Sequence, residues 1–169
     1  MSKRALKKYL SELDKEALAI QLMELYERFP AVREYYNFAF NPKEDKLIQE
    51  AKSKISNEYF PLKRKRPKAR RSVAQKYIKR FKTLGVDAHL MADLMLYNLE
   101  VAQTFSVDRN VPDAFYKSMY NSYAEAIPYI IFHGMLPEFE GRILKIYQKV
   151  QEGSWPNEED FSRVLDALE

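Results

Sequence analysis

Residues 87–105 constrain this chain more than any other segment. Leu90, Met91, Leu94, Met95, Leu96, Leu99, Val101, Ala102 and Phe105 make the stretch apolar nearly all round, and Asp87 stands at its head as an N-cap. A helix that is hydrophobic on every side has to be enclosed, so the remaining elements must wrap it. They carry the same period. Apolar residues recur at helical spacing through the chain, and no strand-like alternation competes with them.

The flanking segments follow from their start and stop signals. Ser2 caps a short first helix running to Leu10. Asp14 caps a second, with Leu18, Leu22, Leu25, Tyr26 and Phe29 on one face, which Pro30 ends. A short helical piece covers residues 32–38. Asn41, Pro42 and Glu44 read as the cap, first position and capping-box partner of a helix reaching Tyr59. Val73, Tyr77, Ile78, Phe81 and Leu84 form the stripe of a helix that opens near Pro67 or Lys68 and closes at Gly85. Beyond the central helix, Phe115, Met119, Tyr123 and Ile127 mark one that opens near Pro112 and kinks or breaks at Pro128. Phe139, Ile143, Ile146, Tyr147 and Val150 mark the next, ended by Gly153. Asn157 caps the last, whose buried face is Phe161, Val164, Leu165 and Leu168. The expectation is an all-α chain, a compact bundle or short helical-hairpin array of about eight or nine helices, forming one domain over residues 1–169.

Several function classes fall away. Without cysteine there is no disulfide, thiolate nucleophile or thiolate metal site, which fits a reducing cytosol. The basic N-terminus is followed by no apolar run, so it is no secretory signal. The most apolar stretch, 127–136, is short and interrupted by Pro128, His133 and Gly134, so no membrane span is expected. A cytoplasmic protein is the resulting expectation.

Charge is where the chain departs from an ordinary helical domain. Between Glu58 and Asp87 there is no acidic residue, although the formal net charge is only +4. Within that gap lie Lys63, Arg64, Lys65, Arg66, Lys68, Arg70, Arg71, Lys76, Lys79, Arg80 and Lys82. Pro61 and Pro67 bracket the densest part, an extended basic loop over 61–69. Lysines and arginines at this density neutralise consecutive phosphates, so a nucleic-acid backbone, RNA or DNA, is the first candidate partner. In that reading Lys63, Arg64, Lys65, Arg66, Lys68, Arg70 and Arg71 supply mobile contacts, and Lys76, Lys79 and Lys82 a rigid edge. No base-reading motif surrounds them. An acidic or helical protein partner is the alternative, using the same patch or an apolar groove near Tyr120 and Tyr123. A solvated face, or pairing with Glu158, Glu159, Asp160, Asp166 and Glu169, is the plain structural reading.

Candidates for catalysis are sparse. His89, Asp93 and Glu100 share one face of the central helix, with Thr104 beside them; His and carboxylate four apart can ligate a metal or exchange a proton. No further ligands appear at metal-site spacing, so a satisfied polar strip is expected, and a metal-dependent helical-bundle enzyme stays a remote alternative. Asn98, opposite this strip, is expected to hydrogen-bond a neighbouring helix. His133 sits by a turn. Tyr116, Tyr120, Tyr123 and Tyr129 gather near Pro128, where they line a pocket or, more simply, pack the core. No nucleophile elbow or phosphate-binding glycine motif is present. The expectation is a non-catalytic binding protein with no metal and no cofactor.

Four strings carry a resemblance. Ser2-Lys3-Arg4-Ala5-Leu6-Lys7-Lys8-Tyr9-Leu10, Leu25-Tyr26-Glu27-Arg28-Phe29-Pro30, Phe38-Ala39-Phe40-Asn41-Pro42 and Ala69-Arg70-Arg71-Ser72-Val73-Ala74-Gln75 resemble a small bacterial family of unknown function along the whole chain. The resemblance implies a bacterial, cytosolic, helical protein and brings no functional residue with it.

Overall fold

The computed structural model describes residues 2–63 and 66–166. Among them every regular element is a helix: α1 Lys3–Ser11, α2 Lys15–Arg28, α3 Pro30–Phe40, α4 Glu44–Tyr59, α5 Arg71–Leu84, α6 Ala88–Ser106, α7 Asp113–Phe132, α8 Leu136–Glu152 and α9 Glu158–Asp166. The all-α class is as the periodicity requires. Backbone contacts cluster into two compact units, with the boundary in the chain between Lys43 and Glu44.

The first unit holds α1 to α3. Ser2 accepts the Ala5 amide and Asp14 the Ala17 amide, so both expected caps form. Pro30 does more than stop α2. It occupies the first position of α3, where its missing N–H costs nothing, so Phe29 serves as the junction of two helices. Tyr26 donates to Asn37 at 2.9 Å, and Arg33 donates to the Glu27 carbonyl and lies over the Tyr26 ring. The α2 face expected to be buried is half open: Leu18, Leu22, Leu25 and Phe29 keep between 37% and 52% of their surface. Within this unit only α2 and α3 pack closely along their lengths, and two short helices cannot enclose an apolar stripe.

The second unit is built round α6, which packs against α4, α5, α7 and α8. Met91, Leu94, Leu96, Leu99 and Ala102 are fully buried in it. Asn41 does not cap α4; it closes α3, and α4 begins at Glu44. Instead of folding back on a cap, the Glu44 carboxylate accepts the amide of Asp87 at 2.9 Å, and Asp87 caps α6 through the amides of His89 and Leu90. The starts of α4 and α6 are thus tied together. Gly85 ends α5 in the left-handed conformation, φ +77°, with its N–H on the Phe81 carbonyl.

Three further boundaries differ from expectation. α5 opens at Arg71 rather than at Pro67 or Lys68, because the amides of Lys68 and Ala69 both turn to the Glu58 carbonyl. α7 runs through Pro128, which sits on its exposed side. Asn157 gives no side-chain cap to α9: its amide donates to the Tyr116 carbonyl at 3.1 Å and its amide oxygen has no partner. α9 packs on α7 and α8 through Phe161, which is fully buried against Trp155, Tyr120 and Tyr123. Leu168, expected on the same face, lies outside the described residues.

Candidate functional site

The basic segment separates into two populations. Arg70 forks onto the buried Glu58 carboxylate, Nε to Oε2 at 2.9 Å and Nη2 to Oε1 at 3.0 Å. The hydrogen bonds it donates to Glu58, together with the charge of that carboxylate, hold the Arg70 guanidinium above its usual value. Arg71 donates to the Ser122 hydroxyl at 2.8 Å and approaches Glu125 at 3.4 Å; Lys82 meets the other Glu125 oxygen at 3.2 Å and lies over the Tyr129 ring. These three cations fasten the loop and α5 to α4 and α7. Lys63, Arg66, Lys68, Lys76 and Lys79 are exposed and have no acidic partner among the described residues. Arg64 and Lys65 lie outside the described residues. Among the described residues of the acidic run near the C-terminus, Glu159 and Asp160 pair with Arg163 and Glu158 takes a hydrogen bond from Gln151, while Glu169 lies outside the described residues.

The end of the loop is held in a strained conformation. Ala69 adopts φ +49°, where its Cβ crowds the backbone, and it persists there because Glu58 grips both sides of it, through its carbonyl and through Arg70. Tyr59, the next residue of α4, is buried against Phe105. Burial, and then the Glu58 charge, push its hydroxyl up to about 12 against the opposing pull of Arg71.

That geometry frames a cleft of about 780 Å³. One wall is the chain entering α5, from Lys68 to Ser72; the other is the chain entering α7, including Arg109, Val111 and Ala114, with Phe105 and Phe115 behind them. Neither helix has a side-chain cap. Among the described residues, four cations line the cleft and no carboxylate does. Arg109 lies over the Phe105 ring at 4.6 Å. Sequence reading passed over this second wall because a single arginine in a loop carries no signal until the fold brings it opposite Arg70 and Arg71.

This surface belongs to a known lineage by sequence, as the family model for DUF6155, a family of unknown function, matches residues 1–169. The chain belongs to that family. No curated protein and no solved structure is detectably similar to it. The DUF6155 match therefore carries the resemblance drawn from the four strings and brings no assigned residue to the site.

The polar strip of α6 is occupied. Arg142 of α8 donates to Asp93 at 2.8 Å and to both Glu100 oxygens at 2.8 and 3.0 Å, and Lys52 of α4 closes on the other Asp93 oxygen. Burial pushes the Asp93 carboxyl up, but hydrogen bonds and charge from Lys52 and Arg142 outweigh it and hold the group below the usual range. His89 sits apart, against Glu138 and the Phe139 ring. Among the described residues no three His, Asp or Glu side chains gather as metal ligands.

Asn98 corrects an expectation. It is 1% exposed, yet neither amide atom finds a hydrogen-bond partner. The tyrosines near Pro128 are spoken for: Tyr116 meets Trp155 edge to face, Tyr120 meets Phe161 edge to face, Tyr123 packs tilted on Phe161, and Tyr129 packs tilted on His133. With Tyr123 fully buried, they form no open stacking platform. Among the described residues, no helix is long and apolar enough to cross a membrane.

Proposed function

We propose that the chain is a non-catalytic binding protein that docks on the phosphate backbone of RNA or DNA. The observation that carries this is the set of exposed, unpaired cations, Lys63, Arg66, Lys68, Lys76 and Lys79, in a segment without a carboxylate. Lys76 and Lys79 lie one turn apart on the solvent face of α5, and Glu58 anchors the loop that leads into it. Backbone contact of this kind is salt-dependent, each neutralised phosphate adding about −0.9 to the log–log slope on duplex DNA.

The test is fluorescence anisotropy with labelled single-stranded RNA and duplex DNA at low and physiological salt, comparing wild type with the quadruple variant K63S/R66S/K76S/K79S. The variant should lose affinity and flatten the duplex salt slope by roughly three to four units. Its melting temperature should hold, since none of the four side chains has an ion-pair partner to lose. Unchanged affinity in a folded variant refutes the reading.

An acidic protein partner is the second reading. It is favoured by Leu62, 94% exposed beside Lys63, and by Phe60 at 41%, apolar anchors that a phosphate backbone does not need. Affinity that survives salt but falls in Leu62→Ser would move the assignment to this class.

A further inference from the structure

The cleft between the starts of α5 and α7 is distinct from the solvent face of α5. We propose that it binds a small phosphate monoester of about mononucleotide size. The phosphoryl group sits at the two helix starts between Lys68 and Arg109, and the organic body lies on the wall made by Phe105, Val111 and Phe115.

Charge is the first reason. Of the four lining cations, Arg70 is offset by Glu58 and Arg71 shares Glu125 with Lys82, while Lys68 and Arg109 have no acidic partner among the described residues. Two helices of 14 and 20 residues add their N-terminal partial charges, about half a unit each, with no side chain capping either. That surplus exceeds what one carboxylate neutralises and suits a phosphate dianion. Shape is the second reason. The volume lies within the range of small-molecule sites, and apolar side chains, Phe105, Val111 and Phe115, line the cleft behind cations carried on both its walls, as an amphiphilic monoester requires. The third is rigidity. The Glu58 fork, the strained Ala69 and the Arg71–Ser122 bond fix the cationic wall before any ligand arrives. The assignment does not rest on nucleic-acid docking, and its test uses none of the residues replaced there.

The experiment is titration calorimetry of the whole chain with AMP and phenyl phosphate, with adenosine and inorganic phosphate as controls, up to about 2 mM so that a Kd of 1 mM still registers. The variants are Arg109→Gln and Ala114→Glu. Ala114 is exposed in the first turn of α7, where a carboxylate favours the helix, so Ala114→Glu should melt no lower than wild type while repelling the phosphoryl group. Both monoesters should bind, adenosine at least about tenfold more weakly, and each variant should lose at least about tenfold. Trp155 gives a second readout, because its ring meets the edge of Phe115 at 6.1 Å and its emission should shift on binding. No binding of either monoester, or unchanged binding in folded Ala114→Glu, overturns the proposal. Inorganic phosphate binding as tightly as AMP overturns the role given to the apolar wall.

Discussion

Replacing Arg142 by Met tests whether the polar strip of α6 is structural. Three charge-assisted hydrogen bonds are lost, at 2.8, 2.8 and 3.0 Å, together with the guanidinium's place over the Phe139 ring, while methionine keeps an unbranched apolar stem of similar length. Sheltered bonds of this kind contribute about 1.5–3 kcal/mol each. Here the side chains of Arg142, Asp93 and Glu100 keep 32%, 25% and 34% of their surface, so solvent screening pulls each toward the value of an exposed pair. A total of about 2 kcal/mol follows, equivalent to roughly 8 °C in Tm for a domain of this size. Asp93 sets the pH dependence. Its carboxyl is held below its unfolded value, so its contribution is complete above about pH 4 and disappears as pH falls through the lowered folded value. Urea unfolding should therefore separate wild type from Arg142→Met at pH 7 and bring them together toward pH 3. A double-mutant cycle with Glu100→Gln isolates the pair itself. An equal gap at both pH values, or no coupling in the cycle, would refute the reasoning.

Two substitutions probe the ground on which the site stands. Ala69→Gly relieves the crowding at φ +49° but loosens the unfolded chain, so a net stabilisation of about 0.5 kcal/mol is expected in thermal melts; Ala69→Val should destabilise instead. Gly153→Ala places a Cβ 2.9 Å from two atoms of the Trp155 ring, which is packed against Phe115, Tyr116 and Phe161 and has no room to retreat. A loss of about 1–3 kcal/mol with altered tryptophan emission is expected; a wild-type melt and spectrum would show that the ring moves freely.

Much of this fold is legible in the chain because helices are local. The period of α6, the Asp87 cap and the left-handed Gly85 each follow from residues a few positions apart. Pro30 ends α2 as its chemistry requires and also opens α3, whereas Asn41 misled, since it closes α3 instead of opening α4. The absence of acids between Glu58 and Asp87 was equally plain. Which cations remain available was not, since the partners of Arg71 and Lys82 lie 54 and 43 residues away.

By itself, then, the sequence determined the all-helical class, the buried character of α6 and the position of the basic segment, all consequences of short-range spacing and composition. The tertiary structure alone decided that Arg70, Arg71 and Lys82 serve as fasteners, that the α6 strip is closed by Lys52 and Arg142, and that Arg109 faces the start of α5 across a cleft. Charges neutralise or accumulate according to distance in space, and in a helical chain that distance is set by how the helices pack.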